Sequence, residues 1–337
     1  MKRARPAQRG RIERFEFASR ALQGNRLGDP YIREVPVYLP PGYDSGDRRY
    51  PVAFCLAGFT GAGASHLNWK GWGENLPDRL DRLHATGAIG PMIVVFPDCF
   101  TRLGGSQYIN SSVSGRYDDY LIEELVPQID RRYRSKPDRR HRGVFGKSSG
   151  GFGAIVQAML HPDTWGAAVC HSGDSYYEFC FLTDLPKTLN LVNKAGGVRA
   201  FLDAFERKHK HSSSEVHAIM HCAMAACFDP QPDHPDGFEL PVDLHTGRIR
   251  PQRWERWLAW DPVRMIPQYA AALKQLRLLF VDCGDRDQYH LHYGARQMHQ
   301  ALQEAGVRHE YQEFPDNHSN IHYRMDVSLP RLYSALS

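Results

Sequence analysis

Residues 144–154 decide the fold, and they read Val144-Phe145-Gly146-Lys147-Ser148-Ser149-Gly150-Gly151-Phe152-Gly153-Ala154. An apolar, β-branched lead-in precedes Gly-x-Ser-x-Gly, and small residues follow at the head of an apolar helical pattern. This order predicts a sharp strand-to-helix turn that exposes Ser148. Glycines at 146 and 150 suit such a turn, because a Cβ at either flank would clash with neighbouring backbone. Ser148 is therefore the first candidate for a catalytic nucleophile.

Two later strand patterns supply the partners that such a serine needs. A serine hydroxyl is a weak nucleophile, so an imidazole must accept its proton and a carboxylate must orient the imidazole. After this kind of turn the expected order is serine, acid, histidine. The apolar run 276–284 predicts a buried strand that ends at Asp285 and Asp287, and the alternating run 311–314 leads into His318.

The acid and the base each have competitors nearby. Asp287 is preferred as the acid because it lies in the loop, three residues past the final glycine of the strand. Asp285 is the second choice, and Asp282 is expected to lie within the strand itself. His318 is preferred as the base because it directly follows a strand. His322, four residues later, would share a helix face with it and is the competing histidine.

An oxyanion hole requires two backbone N–H groups directed at the charge that develops on the carbonyl oxygen. One donor is expected from Ser149, the residue after the nucleophile. The second is expected from the loop after an early strand, where residues 51–56 run into Ala57-Gly58-Phe59-Thr60-Gly61. Gly58 allows the chain to turn beside the substrate, and the Phe59 N–H is the candidate donor.

With these residues in view, the chain resembles the esterase D branch of the α/β-hydrolase superfamily. That group includes enterochelin esterases, feruloyl esterases and S-formylglutathione hydrolases. The resemblance runs from roughly Val35 to the C-terminus, and it implies a Ser/Asp/His hydrolase that maps onto Ser148, Asp287 and His318. Its other carriers are Val37-Tyr38-Leu39-Pro40-Pro41-Gly42-Tyr43, Tyr50-Pro51-Val52, His171-Ser172-Gly173 and Asp282-Cys283-Gly284.

Two departures from the family pattern narrow what the resemblance implies. S-formylglutathione hydrolases resemble one another in a Ser-Met-Gly-Gly-His pattern, whereas this chain has Ser148-Ser149-Gly150-Gly151-Phe152. This difference argues against S-formylglutathione as the substrate. The usual glycine two residues before the histidine is Asp316 here. The resemblance therefore supports the reaction type more strongly than any particular substrate.

The pattern of elements predicts an α/β-hydrolase fold. Strands near 51–57, 92–96, 142–146, 166–171, 276–282 and 308–314 alternate with helical patterns, which indicates a mostly parallel central sheet with helices on both faces. Residues 11–16 and 33–39 are expected to open the sheet as antiparallel strands. Helices are expected at 117–133 and 155–160.

One long stretch interrupts this alternation and predicts an insertion. Residues 1–173 and 261–337 are assigned to the catalytic domain, and 174–260 to a helical cap, because this spacing exceeds a normal crossover. Tyr176 and Tyr177 at its entrance are candidate substrate-binding residues, together with Gly58.

The overall composition is that of a globular protein, with 337 residues and a formal net charge of +4. This charge is too small to indicate a nucleic-acid or membrane partner. Seven cysteines without a Cys-x-x-Cys pair predict reduced thiols and a cytoplasmic location. The basic start of the chain has no apolar stretch after it, so neither a signal peptide nor a membrane span is expected.

A histidine-rich segment raises the question of a metal. His209, His211, His217, His221 and Cys222 lie close together, and His217 with His221 would share a helix face. The residues between those two do not form His-Glu-x-x-His. We therefore expect no metal and no cofactor.

Together these observations predict a serine carboxylesterase that acts on a small-molecule ester through an acyl-enzyme. An acyltransferase with the same triad is the nearest alternative, because an alcohol can replace water as the acceptor. A non-catalytic binding protein with an α/β-hydrolase fold is the alternative from another class. The ester itself and the oligomeric state are left open by the sequence.

Overall fold

The computed structural model describes residues 8–337, and the basic residues 1–7 lie outside the described residues. The strands are β1 (Arg11–Ala18), β2 (Ile32–Leu39), β3 (Val52–Leu56), β4 (Ile93–Val95), β5 (Phe100–Thr101), β6 (Gly104–Gly105), β7 (Asn110–Ser111), β8 (Gly115–Arg116), β9 (Arg142–Lys147), β10 (Ala167–His171), β11 (Leu278–Gly284) and β12 (Glu310–Phe314). The α-helices are α1 (Leu76–Ala85), α2 (Tyr117–Asp119), α3 (Val126–Arg132), α4 (Ser149–Leu160), α5 (Tyr177–Cys180), α6 (Leu185–Ala195), α7 (Val198–Arg207), α8 (Ser213–Phe228), α9 (Pro251–Leu258), α10 (Pro262–Leu273), α11 (Leu291–Glu304) and α12 (Met325–Leu336).

The central sheet has eight strands in the order β1-β2-β4-β3-β9-β10-β11-β12. From β4 to β12 every neighbouring pair is parallel, while β1 and β2 are antiparallel to each other and β2 is antiparallel to β4. The predicted α/β-hydrolase fold with a mostly parallel sheet is confirmed. Each predicted strand is present, with ends that differ by one or two residues from the pattern.

Alternating side chains on each central strand feed two apolar layers, because successive residues of a strand face opposite sides of the sheet. In β3, Phe54 joins the layer that contains α4, α10 and α11, whereas Ala53 and Cys55 join the layer that contains α1 and α12. Helices therefore cover both faces of the sheet. This burial holds the carboxyl ends of the parallel strands in one fixed row.

Two local features were not anticipated. Residues 100–116 form two small antiparallel ribbons, β5 with β6 and β7 with β8. The predicted helix at 117–133 is present, but its middle, Tyr120–Leu125, is a π-helix between α2 and α3. A wide π-turn leaves no sequence signal distinct from an α-helical apolar pattern, since both place apolar side chains on one face.

The segment 174–260 contains α5 to α9 between β10 and the later strands. Its apolar side chains belong to the same buried cluster as those of the sheet. In α8, the carbonyl of Ala226 accepts a hydrogen bond of 2.6 Å from the hydroxyl of Ser111 in β7. The segment is thus packed onto the ribbon region, and its division into a separate cap stays a prediction.

All seven cysteines are buried free thiols. The sequence predicted reduced thiols, which agrees with these free cysteines. The cytoplasmic location stays a prediction. Across residues 8–337, no helix combines the length and the apolar character that crossing a membrane requires.

Candidate active site

Ser148 occupies the turn between β9 and α4 in a strained conformation, with φ 59° and ψ −128°. Residues other than glycine rarely adopt a positive φ, and such strain is maintained only where the surroundings fix it. Two backbone hydrogen bonds do so here. The N–H of Ser148 donates to the carbonyl of His171 at 2.9 Å, and its carbonyl accepts from the N–H of Phe152 at 2.9 Å.

The glycines on either side of Ser148 are required by close backbone contacts. A Cβ on Gly150 would lie 2.1 Å from the carbonyl oxygen of Leu56, and a Cβ on Gly146 would lie 2.4 Å from the backbone of Gly150. Both distances are far below any real contact. The strand-to-helix turn predicted from residues 144–154 is therefore present, and β3 packs directly against it.

His318 and Asp287 form a buried pair. The Nδ1 atom of His318 lies 2.7 Å from Oδ2 of Asp287, whose side chain is completely buried. The other carboxylate oxygen accepts the backbone N–H of Tyr289 at 2.9 Å, and the N–H of His318 donates to the side chain of Gln288. Since Nδ1 donates to the carboxylate, Nε2 is the nitrogen that can accept a proton.

The competing carboxylates have other surroundings. Asp285 is partly exposed and pairs with the adjacent Arg286 at 3.2 Å. Asp282 lies in β11, where it binds Nδ1 of His171 at 2.6 Å and Nε of Arg324 at 2.9 Å. Of the three aspartates weighed from the sequence, the structure brings only Asp287 to His318.

His322 also borders the cavity described below, but its environment differs from that of His318. Burial, together with nearby cations of which Lys70 acts most strongly, lowers the pKa of His322 to about 3. An imidazole with such a pKa is a poor proton acceptor near neutral pH. The geometry therefore favours His318 as the base.

The predicted oxyanion loop lies against Ser148. A Cβ on Gly58 would be 3.6 Å from the Cβ of Ser148, so the loop contacts the serine. Among residues 8–337, neither the N–H of Phe59 nor that of Ser149 has a hydrogen-bond acceptor. Ser149 is the first residue of α4, whose N-terminus adds a positive partial charge. Both amides remain free for a developing oxyanion.

Ser148 and His318 line one cavity of about 700 Å³. Its walls come from the loop after β3, the turn before α4, the segment 174–260 and the loops after β11 and β12. The lining includes Gly58, Phe59, Ser65, His66, Trp69, Lys70, Arg79, Lys147, Asp174, Cys180, Phe181, Val216, His217, Met220, Tyr289, Ser319 and His322. This volume accommodates a small-molecule ligand.

Asp174 is a cavity residue that the sequence analysis missed. Its Oδ2 accepts hydrogen bonds from the hydroxyl of Ser149 at 2.8 Å and from the amide of Gln107 at 3.1 Å. Burial raises the pKa of Asp174, and these two neutral donors only partly oppose that rise. Its position three residues after β10 was the available signal, because the ends of parallel strands gather at the site.

The structure does not bring Tyr176 and Tyr177 to the cavity. Tyr177 is completely buried, donates its hydroxyl to the carbonyl of Trp260, and stacks on Phe228. Tyr176 has a left-handed backbone and packs against Phe179. These tyrosines pack at the start of the insertion. Tyr289, two residues after Asp287, has its ring centroid 4.8 Å from that of His318.

The histidines of the insertion have separate partners. His217 pairs with Asp184 at 3.1 Å, and buried His221 hydrogen-bonds to the hydroxyl of Thr188 and the carbonyl of Phe181. His211 stacks on Phe205. Within residues 8–337, no three His, Cys, Asp or Glu side chains are grouped so that they could hold a metal ion.

Solved structures with the same fold include a ferulic acid esterase, with a TM-score of 0.64 and 20% sequence identity over 98% of this chain and 100% of that chain. An S-formylglutathione hydrolase from Staphylococcus aureus has a TM-score of 0.57 and 15% identity over 97% of this chain and 99% of that chain. At these identities the likeness establishes the α/β-hydrolase fold.

Two curated relatives match by sequence. An endo-1,4-beta-xylanase/feruloyl esterase of Xylanibacter ruminicola is 31% identical over 43% of this chain and 20% of its own length. An esterase of Mycobacterium tuberculosis is 30% identical over 41% of this chain and 28% of its own length. The chain thus matches less than a third of the length of either relative.

The match to a family model is more extensive than these pairwise matches. The model of the Esterase family, described as "Putative esterase", matches residues 30–328. That range contains Ser148, Asp287 and His318 and nearly all of the central sheet. This match confirms the resemblance to esterases that the sequence motifs indicated. At the level of the family, it also confirms an enzyme that acts on ester bonds. The chain belongs to the Esterase family.

Proposed function

We propose that this protein is a serine carboxylesterase that hydrolyses a small-molecule ester through an acyl-enzyme on Ser148. The observation that carries the proposal is the shared cavity. It brings a serine on a strained elbow together with a histidine whose Nδ1 is held by a buried carboxylate. Family membership and esterase relatives support the same reaction class.

In the first half of the proposed reaction, the Ser148 hydroxyl attacks the ester carbonyl carbon while Nε2 of His318 accepts its proton. The resulting imidazolium is stabilised by Asp287. The tetrahedral intermediate collapses, the carbon–oxygen bond to the alcohol breaks, and His318 gives the proton to the departing alkoxide. An acyl-serine and a free alcohol result.

In the second half, water replaces the alcohol. His318 accepts a proton from water as it attacks the acyl carbon, and then returns a proton to the Ser148 oxygen when the acid leaves. The N–H groups of Phe59 and Ser149 are proposed to bind the oxyanion in both halves. We also propose that the segment 174–260 acts as a cap, because Phe181, Val216 and Met220 from it form one wall of the cavity.

The test is labelling with a fluorophosphonate probe, together with hydrolysis of p-nitrophenyl acetate and butyrate. Wild type, Ser148→Ala and Ser319→Ala are compared, with circular dichroism as the check on folding. Ser319 is the matched control, because it lines the same cavity without belonging to the elbow and its hydroxyl accepts a hydrogen bond from Gln288. We expect labelling and turnover to vanish in Ser148→Ala and labelling to persist in Ser319→Ala.

Folded wild-type protein that neither reacts with the probe nor hydrolyses either ester would contradict the proposal. So would turnover that survives in Ser148→Ala. Product analysis with added methanol then separates an esterase from an acyltransferase, since a transferase accumulates the methyl ester at the expense of the free acid.

A further inference from the structure

One wall of the cavity carries positive charge that the proposed triad does not use. Lys70, Arg79 and Lys147 all line this wall, and Lys147 directly precedes the nucleophile. The cationic wall, as these three residues are called below, comes from the loop before α1, from α1 itself and from the end of β9. Three separate elements therefore bring cations to one place.

The three cations differ in their partners. Arg79 pairs with Asp326 and lies 3.9 Å from Glu74. The side chains of Lys70 and Lys147 make no hydrogen bond or ion pair with any residue between 8 and 337. Both are half-buried side chains, and burial lowers the pKa of each ammonium group. Two uncompensated charges in a partly desolvated cavity are costly unless a ligand neutralises them.

Nearby carboxylates are engaged elsewhere. Asp287 holds His318, Asp174 accepts from Ser149 and Gln107, and Glu74 binds Arg82 in a bidentate pair. Asp287 and Asp174 act on Lys147 only through their fields, which raise its pKa. Within the described part of the chain, Lys70 and Lys147 are thus left without a dedicated counter-ion, whereas Arg79 has Asp326 and Glu74.

Two histidines, His66 and His322, also line this cavity, where they are neutral donors or acceptors of hydrogen bonds. Burial, with a smaller contribution from the charge of Lys70, lowers the pKa of His66 to about 4. Burial is also the largest cause of the lowered pKa of His322. The charges of Lys70, Lys147 and Arg79 likewise lower the pKa of His322, and these three cations act on the same part of the cavity. An anion on this wall would relieve the repulsion and could accept hydrogen bonds from both lysines.

We propose that the cationic wall binds an anionic group of the substrate, so that the preferred esters carry a carboxylate or a phosphate within a few bonds of the scissile carbonyl. Lys70 and Lys147 are the specificity-determining residues, and Arg79 is held by Asp326 and Glu74 as a fixed charge behind them. This inference rests on the proposed serine esterase reaction for its chemistry. The binding step itself does not depend on that reaction.

The test compares charged esters with neutral ones of nearly the same shape. On the alcohol side, 4-carboxyphenyl butyrate and 4-(phosphonomethyl)phenyl butyrate are compared with 4-carbamoylphenyl butyrate. On the acyl side, mono-4-nitrophenyl glutarate is compared with its methyl ester. The measured quantity is the ratio of kcat/KM for the anionic member to that of the neutral member, in wild type, Lys70→Met and Lys147→Met. Lys194→Met is the control, since Lys194 is exposed on α6 and is not among the residues that line the cavity.

We expect wild type and Lys194→Met to prefer the anionic member on at least one side of the ester. Each of Lys70→Met and Lys147→Met should lower that ratio by about tenfold, the size of effect that follows from losing one charged hydrogen bond. The carboxylate and phosphonate arms show which anion is preferred. Absence of a preference in wild type, or a preference that both lysine variants retain, would overturn the proposal.

A binding measurement separates this proposal from the proposed function. Isothermal titration calorimetry of the same esters against folded Ser148→Ala reports affinity without turnover. Tighter binding of the anionic members with no wild-type hydrolysis would support the cationic wall and contradict the esterase. Hydrolysis of neutral esters without any anionic preference would support the esterase and contradict the cationic wall.

Discussion

Two buried histidine–aspartate pairs lie on neighbouring strand ends of this sheet, and they differ in what the second imidazole nitrogen meets. In His318–Asp287 the Nδ1–Oδ2 distance is 2.7 Å, and in His171–Asp282 the Nδ1–Oδ1 distance is 2.6 Å. Nε2 of His171 is bound by the hydroxyl of Ser328 at 2.9 Å. Nε2 of His318 has no partner among residues 8–337, and its ring borders the cavity.

The carboxylates differ in the same way. Besides His171, Asp282 binds Arg324 at 2.9 Å, whereas the second oxygen of Asp287 accepts only a backbone N–H. Both members of the His171–Asp282 pair therefore have a further partner, and the pair is suited to holding β10, β11 and α12 together. A short imidazole–carboxylate distance alone therefore does not identify a catalytic pair. Reactivity also requires an imidazole nitrogen that has no hydrogen-bond partner and faces a substrate.

The largest effect is expected from His318→Ala. Loss of the proposed base should lower kcat by about 10⁴- to 10⁶-fold in protein that circular dichroism shows to be folded. Hydrolysis of p-nitrophenyl butyrate by purified, folded variant is the measurement. A variant that keeps most of its activity would remove His318 from the reaction and return His322 to consideration.

Asp287→Asn is expected to be nearly as severe. An amide in place of the carboxylate can no longer stabilise the imidazolium or fix its tautomer, so kcat should fall by about 10⁴-fold. Asp285→Asn is the matched control, because Asp285 is partly exposed and pairs only with Arg286. Equal losses in the two variants, measured with the same ester, would contradict the assignment of the acid.

His171→Ala should act on stability rather than on chemistry. Removing one partner leaves Asp282 buried with Arg324 alone, and breaking a buried pair lowers the free energy of unfolding by about 3 kcal/mol. Urea denaturation measures this change, and kcat per folded molecule should fall far less than in His318→Ala. A loss of kcat as large as that of His318→Ala, with unchanged stability, would erase the distinction between the two pairs.

Asp174→Asn is expected to have the smallest effect. It tests whether Asp174, in contrast to the paired Asp282, destabilises the fold when it is ionised. Burial raises the pKa of Asp174 above 3.8, so the folded state holds its proton to higher pH than the unfolded state. The stability that this group contributes is complete below pH 3.8 and is lost as pH rises through the raised pKa. Asparagine cannot ionise, so the variant should be the more stable protein at neutral pH.

Urea denaturation of wild type and Asp174→Asn between pH 4 and 8 checks this sign. The difference in unfolding free energy should grow with pH in favour of the variant. Loss of stability in Asp174→Asn at neutral pH would mean that the hydrogen bonds from Ser149 and Gln107 outweigh the burial of charge.

The sequence determined the architecture, because its signals are local. Alternating apolar runs bounded by turn residues predicted each strand of the sheet, and glycines beside Ser148 predicted the elbow. The backbone contacts at Gly150 show why no other residue would fit there. Chain order also predicted which loops would carry an acid and a base, since parallel strands place their carboxyl ends along one edge.

Tertiary structure decided which of several similar side chains meet. Distance from Gly284 favours Asp287 over Asp285 in the sequence, but the pairing with His318 depends on how two loops 31 residues apart pack. Tyr176 and Tyr177 were chosen for the site by position, but packing directs Tyr177 into the core. The cationic wall joins residues from distant elements, so its charge could not be summed along the chain. Local sequence fixes backbone conformation through short-range sterics, whereas charge and proton transfer depend on distances that only the packed sheet defines.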